Sequence, residues 1–137
     1  MLQIKTVEPS TLALLKELMQ IEELQEFSLV GGTALSLKYG HRISVDLDLF
    51  SENNFDNNFI KSVLKEKYKS NFLLEGDIEK FGIFCYINDV KVDIIKHNYP
   101  LLANIETIED IRMYSSNDIC AMKINAILGR GKKKDLL

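Results

Sequence analysis

The sequence predicts an α+β (or α/β) fold, with a small mixed sheet of about four to five strands flanked by helices. Residues 10–26 have helical periodicity, residues 45–50 alternate strictly between apolar and polar types, and Asn88-Asp89 separates two apolar runs as a hairpin turn does. Because hairpins join antiparallel strands, we expect the sheet to be at least partly antiparallel. The length of 137 residues is typical of one domain.

Four segments have the apolar spacing of helices. In chain order they span 10–26, 33–39, about 56–68 and 116–128. Residues suited to N-caps begin three of them, namely Ser10, Asp56, and either Ser116 or Asn117. Gly40 is expected to end the second helix, because glycine readily adopts the left-handed conformation that closes helices.

Five segments are predicted strands because they are short, apolar and bounded by turn residues. They span 27–30, 45–50, 72–78, 81–87 and 90–95. The first ends at Gly31-Gly32, which predicts a tight turn between a strand and a helix. The second alternates, so Val45, Leu47 and Leu49 are expected to face the core.

Composition narrows the class of protein. The apolar fraction of 46% and the charged fraction of 27% are ordinary for a globular domain. No run of 18 apolar residues occurs, so we expect no membrane-spanning helix. The first twenty residues contain four charged residues and no unbroken apolar stretch, so we expect no secretory signal. Cys85 and Cys120 form no CxxC pair, which argues against a zinc site or a disulfide scaffold and favours a cytoplasmic protein with both thiols in its core.

Charge is unevenly distributed along the chain. The net charge of −3 argues against a generally basic nucleic-acid binder. Residues 120–137 contain five basic residues and one acidic residue, which leaves a net charge of −7 on the remainder. A basic end on an acidic body suggests a local site for anions such as phosphate or RNA backbone, and a solvated tail is the alternative.

Three aspartates are the strongest candidates for chemistry. Asp46 and Asp48 lie two apart on a predicted strand, so their carboxylates share a face and repel each other. Oxygen ligands suit Mg²⁺ or Mn²⁺, although a solvated edge strand would also tolerate two acids. Asp93 lies inside an apolar strand, where it needs a metal ion or a partner such as Lys91. With the glycine turn, these acids suit a two-metal phosphoryl-transfer site.

The order of these motifs resembles the nucleotidyltransferase-like toxins of the abortive-infection AbiEii/AbiGii type. The matching stretches are VGGTAL at 30–35, GHRISVDLDLF at 40–50, KVDII at 91–95, DICAMKINAI at 118–127 and RGKKKD at 130–135. The resemblance extends from about residue 27 to the last residue. It implies a polymerase-β-type nucleotidyltransferase fold for a single domain over 1–137, without the C-terminal helical region of longer relatives.

The resemblance also implies roles for individual residues. Asp46, Asp48 and Asp93 would hold the metal ions, and Asp93 would hold the second ion or help to activate the acceptor. The nucleotide-binding residues would be Gly31, Gly32, Thr33, Arg42 and Lys123. Lys123 and Asp135 fall on the positions of the active-site lysine and the downstream aspartate of the family.

Two of these residues have alternative interpretations. The Arg42 guanidinium suits a phosphate, because it presents paired donors, but it could equally neutralise Asp46 or Asp48. Lys123 suits phosphate binding by its position in the motif, and a solvated surface lysine is the alternative.

The function implied by the resemblance is transfer of a nucleoside monophosphate from an NTP to a hydroxyl acceptor. The protein would be the toxin of a bacterial toxin–antitoxin or phage-defence pair, with an antitoxin partner and no membrane association. The acceptor would be RNA, such as tRNA, or a protein. A truncated, non-catalytic nucleotide- or partner-binding module and an antibiotic-type enzyme acting on a small molecule are the alternatives.

Overall fold

The computed structural model describes residues 2–40, 45–76, 82–96 and 100–122, apart from the side chain of Thr6. In these ranges the helices are α1 (Pro9–Met19), α2 (Gly31–Tyr39), α3 (Asn57–Tyr68) and α4, which begins at 116 and is described to 122. The strands are β1 (Ser28–Val30), β2 (Leu47–Ser51), β3 (Phe72–Leu74), β4 (Gly82–Ile87), β5 (Val90–Lys96), β6 (Glu106–Ile108) and β7 (Ile111–Met113). Short 3₁₀ turns occur at Ile4–Thr6, Glu22–Leu24 and Lys69–Asn71.

The strands form one mixed sheet in the order β3-β4-β5-β2-β1-β7-β6. The pairs β2–β5 and β1–β7 are parallel, and the other neighbours are antiparallel. The predicted mixed α+β class is therefore confirmed, but the described part contains seven strands rather than four to five. The additional hairpin, β6–β7, turns at Glu109-Asp110, where both residues have positive φ.

The first helix begins earlier and ends sooner than predicted. Its N-cap is Glu8 rather than Ser10, because the Glu8 carboxylate accepts a hydrogen bond from the Thr11 amide at 3.1 Å. Pro9 occupies the first helical position, where its fixed φ and its missing N–H group are tolerated. The predicted single helix over 10–26 is instead α1 followed by the 3₁₀ turn Glu22–Leu24.

Two other predicted helix starts have different outcomes. The Asp56 carboxylate accepts hydrogen bonds from Asn58 and Phe59 at 2.9 and 3.2 Å, so the predicted cap of α3 is confirmed. Neither Ser116 nor Asn117 caps α4. The cap is Ser115, whose hydroxyl accepts from the Asp118 amide at 3.1 Å and donates to the Asp118 carboxylate at 2.7 Å.

The two cysteines differ in environment. Cys85 is fully buried on β4, as predicted, whereas Cys120 is exposed. Ile119 is the residue of α4 that enters the core beside it, and consecutive helical residues point about 100° apart. Across the described ranges, no helix is both long enough and apolar enough to cross a membrane.

The central strands have one filled face and one partly open face. Leu47, Leu49, Val92 and Ile94 alternate along β2 and β5 and are at most 1% exposed. Val45, which was expected to join this face, is 53% exposed because the strand begins only at Leu47. The residues between the buried ones, including the candidate aspartates, therefore lie on the partly open face.

Arg112 on β7 connects the sheet to the end of α1. Its guanidinium donates to the carbonyl oxygens of Phe27, Met19 and Leu24 at 3.0 to 3.2 Å. Arg112→Met retains much of the side-chain bulk but leaves these acceptors without their donor, so we expect a loss of about 2–4 kcal/mol in the free energy of unfolding. Urea denaturation measures this, and Arg112→Lys, which keeps the charge but not the three-way geometry, should lose nearly as much.

Candidate active site

Strand pairing brings two of the candidate acids side by side. Asp48 on β2 and Asp93 on β5 are register partners in the parallel pair, and neighbouring strands lie about 4.8 Å apart. Their side chains lie on the same face, and the negative charge of Asp93 acts on Asp48. Asp46, just before β2, is exposed and close enough to act electrostatically on Asp48. The structure thus brings the three predicted acids together.

The pKa of Asp48 reports how these carboxylates interact. The pKa of Asp48 is raised from 3.8 to about 6, mainly by burial and then by the negative charges of Asp93 and Asp46. The positive charge of Lys91 lowers the pKa but does not offset the other effects. Ionised Asp48 is therefore in a position that favours an additional cation.

Helix α2 begins directly against Asp48. Gly31 opens the helix with φ +73°, and a Cβ atom there would lie 2.5 Å from Asp48 Oδ2. The tight turn predicted at Gly31-Gly32 thus becomes the first turn of α2. Val30 at the N-cap provides no side-chain hydrogen bond, so the first backbone N–H groups of α2 begin beside the acids without a side-chain cap.

Thr33 has a structural contact at this junction. Its side chain is 2% exposed, and its hydroxyl donates to the carbonyl oxygen of Asp46. This hydrogen bond ties α2 to the residue that precedes β2, and so it positions Asp46. Contact between Thr33 and a triphosphate stays a prediction.

Lys91 reaches the same acids from β5. Its Nζ lies 3.1 Å from an oxygen of Asp93 and 3.1 Å from an oxygen of Glu75. Burial lowers the pKa of the Lys91 amine, but the hydrogen bonds to Asp93 and Glu75 outweigh this effect and raise the pKa above its usual value. The partner considered for Asp93 is therefore present, two positions away on the same strand.

The acids remain accessible to solvent. The side chains of Asp93 and Lys91 are 20% and 31% exposed. An open groove of about 260 Å³ lies beside them, and its lining includes Asp46, Lys91 and the Asn88-Asp89 turn. A small ligand in this groove would contact Asp46 and Lys91, whereas Asp48 and Asp93 do not line it.

The candidate acids are of the type that binds divalent metal ions, but their side chains are not arranged around a metal position. Three carboxylates, one of them with a raised pKa, are the donors that Mg²⁺ and Mn²⁺ prefer. Among the described residues, however, no group of three His, Cys, Asp or Glu side chains is already arranged to hold a metal ion. Lys91 lies at one Asp93 oxygen, so a metal ion would share Asp93 with this ammonium.

Several predicted site residues cannot be compared with the structure. Arg42, Lys123 and Asp135 lie outside the described residues. Asp46, Asp48, Asp93 and the Gly31-Gly32-Thr33 stretch lie within them and meet at one place.

Sequence reasoning missed Glu75 and Tyr86. The Tyr86 hydroxyl donates to Glu75 at 3.3 Å, and the Lys91 Nζ lies 5.8 Å from the centroid of the Tyr86 ring. The position of Tyr86 could have been predicted, because a two-residue turn at Asn88-Asp89 pairs Tyr86 with Lys91. Glu75 was not, because nothing in the sequence sets the register between β3 and β4.

A curated protein is similar to this chain in sequence. Residue identity is 33% over 125 residues with an uncharacterized protein of Aquifex aeolicus (strain VF5), covering 88% of this chain and 59% of that protein. The chain therefore spans about three fifths of the length of this curated relative.

Two crystal structures from Helicobacter pylori have a similar fold. One is that of a candidate nucleotidyltransferase, with a TM-score of 0.53 and 21% identity over 85% of this chain and 59% of the other. The second is JHP933, with a TM-score of 0.51 and 21% identity over 86% and 57% of the two chains.

The family assignment comes from the sequence itself. The family model described as "Nucleotidyl transferase AbiEii toxin, Type IV TA system" matches residues 13–137. This range includes β1, the glycine start of α2, the acid strand β2 and the strand that bears Asp93. The chain belongs to the AbiEii nucleotidyl transferase toxin family of type IV toxin–antitoxin systems.

Proposed function

We propose that the protein transfers a nucleoside monophosphate from an NTP to a hydroxyl acceptor, with a divalent metal ion, as the toxin of a toxin–antitoxin or phage-defence pair. The observation that carries this proposal is the in-register pair of Asp48 and Asp93, next to the glycine start of α2. Membership of the AbiEii family supports the same class of reaction.

The nucleotide phosphates are expected at the start of α2. Backbone N–H groups at a helix N-terminus attract anions, and Gly31 and Gly32 allow close approach. The helix lies against Asp48, so phosphates bound there lie beside the carboxylates. Arg42 and Lys123 are proposed as further phosphate ligands by their positions in the family motifs.

The three carboxylates supply the remaining chemistry. Asp46, Asp48 and Asp93 would hold Mg²⁺ or Mn²⁺, which neutralises phosphate charge and acidifies a bound hydroxyl. The acceptor oxygen forms a bond to the α-phosphorus, the bond to pyrophosphate breaks, and the hydroxyl proton passes to a carboxylate. Asp93 is the candidate for that proton acceptor, and Asp135 is proposed from the family motif to support it.

Two partners follow from this proposal. The five basic residues among 120–137 favour a polyanionic acceptor such as tRNA over a small molecule, and a protein acceptor stays an alternative. An antitoxin is the expected protein partner of a toxin of this family.

Label transfer from each α-labelled NTP tests the function. The 137-residue chain is incubated with Mg²⁺ or Mn²⁺ and either total tRNA or a protein extract. We expect label on tRNA, none without the metal ion, and none with Asp48→Ala. Label on protein alone would retain the enzyme class and correct the acceptor. No metal-dependent transfer to any acceptor would contradict the proposal.

A non-catalytic binding module is the second candidate. It is favoured by the observation that, among the described residues, no group of three His, Cys, Asp or Glu side chains is already arranged to hold a metal ion. Metal-dependent NTP binding without transfer is the result expected of such a module. A third outcome, transfer to a small aminated sugar and not to RNA, would indicate an antibiotic-type enzyme.

A further inference from the structure

Lys91 is held in a defined place between two carboxylates. Its Nζ lies 3.1 Å from both Asp93 and Glu75, and 5.8 and 6.0 Å from the ring centroids of Tyr86 and Phe84. The strand register fixes this arrangement, because Tyr86 is paired with Lys91 and Phe84 with Asp93. The ammonium thus contacts one proposed metal ligand and three groups outside the ligand set.

The charges around Lys91 indicate what it does. Asp48, Asp93 and Asp46 form a cluster of like charge on the partly open face. Lys91 is the cation that the structure places on this cluster within the described residues. A divalent ion at Asp93 would repel the ammonium, so the two cations compete for the same oxygen.

A second position for the ammonium already exists. Glu75 is as close to Nζ as Asp93 is, and the faces of Tyr86 and Phe84 attract a cation. Lys91 can therefore leave Asp93 without losing all its partners. The Tyr86 hydroxyl also bonds to Glu75, which helps to hold the receiving carboxylate in place.

We propose that the Lys91 ammonium binds Asp93 in the metal-free protein and moves to Glu75 when a divalent ion binds. Lys91 is then a resident cation, whose competition for Asp93 lowers the affinity of the site for divalent ions. This inference rests on the proposed function, because it requires that the acids hold a metal ion. It makes Lys91 a positioning residue that acts through Asp93.

Binding of Mn²⁺ alone tests the inference. Free Mn²⁺ is titrated by electron paramagnetic resonance with the wild-type chain, Lys91→Met, and Lys96→Met as a charge-matched control on the same strand. We expect Lys91→Met to bind Mn²⁺ about tenfold more tightly, because a competing cation has been removed. Lys96, which bonds Asn54 rather than the acids, should have little effect.

The role of Glu75 supplies a second measurement. Glu75→Gln removes the alternative position for the ammonium, so Mn²⁺ binding should weaken severalfold in the wild-type background. The same change should have almost no effect in the Lys91→Met background. Equal effects of Glu75→Gln in both backgrounds would show that Glu75 does not act through Lys91, and would overturn the inference.

The outcomes separate this inference from the proposed function. If Mn²⁺ binding depends on Asp48 but Lys91→Met binds Mn²⁺ no more tightly than the wild-type chain, the inference about Lys91 is wrong and the metal site stands. Absence of Asp48-dependent Mn²⁺ binding in both the wild-type chain and Lys91→Met contradicts the metal site itself. Tighter binding in Lys91→Met that Asp48→Asn abolishes supports both.

Discussion

Asp48→Asn is expected to eliminate metal-dependent nucleotide transfer while making the metal-free protein more stable above pH 6. The amide keeps the shape of the carboxylate but cannot carry the charge that a divalent ion requires, so transfer should fall at least about 1000-fold. Stability should rise because burial and the neighbouring acids disfavour ionised Asp48. A shift from 3.8 to about 6 corresponds to a gain of about 2–3 kcal/mol.

The pH dependence of this stability gain follows from the direction of the shift. The raised pKa means that the folded wild-type chain holds the Asp48 proton more tightly than the unfolded chain does. The penalty of ionised Asp48 is therefore fully present above about pH 6 and disappears as the pH falls toward 3.8. The stability difference between Asp48→Asn and wild type should decrease over that interval.

Urea denaturation with EDTA, at pH values from 4 to 8, measures the effect. Asp110→Asn is the matched control, because it removes one charge in the exposed β6–β7 turn, away from the acids. It should be nearly neutral at every pH. Equal stability of Asp48→Asn and wild type at pH 8 would show that burial and the neighbouring acids do not destabilise ionised Asp48.

Gly31→Ala is expected to damage both the fold and the site. The position has φ +73°, which disfavours residues with a Cβ atom, and that atom would lie 2.5 Å from the Asp48 carboxylate. Backbone strain and displacement of Asp48 together should reduce the free energy of unfolding by about 3–4 kcal/mol. Nucleotide transfer should be lost with it, since the start of α2 and Asp48 move apart.

Gly76→Ala separates the two causes. Gly76 has φ +75°, and a Cβ atom there would meet nothing within 4 Å, so this variant should lose only about 1 kcal/mol. In an Asp48→Ala background, Gly31→Ala should cost about as little, because the clashing carboxylate is gone. If Gly31→Ala is as mild as Gly76→Ala in the wild-type background, the close contact with Asp48 is incorrect.

The sequence predicted the parts of the fold that have local signals. The turn at Asn88-Asp89 and the Asp56 cap follow from residue types that favour those conformations. The β6–β7 hairpin was missed because its strands have three residues each and its Glu109-Asp110 turn lacks the Asn or Gly usual at positive φ. Ser10 was predicted as the cap because serine is a common N-cap residue, whereas glutamate, which holds that position as Glu8, is not among the preferred ones.

The candidate site was predictable only in part, for the same reason. Alternation placed Asp46 and Asp48 on one face without knowledge of the fold. That Asp93 lies beside Asp48 depends on the parallel pairing of β2 and β5, which no local pattern encodes, so the residue types suggested a shared site but not this register. The close approach of Gly31 to Asp48 could not be predicted from the sequence either, because it arises from packing between α2 and β2.

The parallel pairing of β2 and β5 has a consequence for synthesis of the chain. The two partnered acids are 45 positions apart in the sequence, and α3, β3 and β4 come between them. A ribosome must release all of β5 before this acid pair exists, and a shift of the pairing by one residue would turn Asp93 to the opposite side of the sheet. Incomplete or misaligned chains therefore lack the acid pair on which the proposed activity depends.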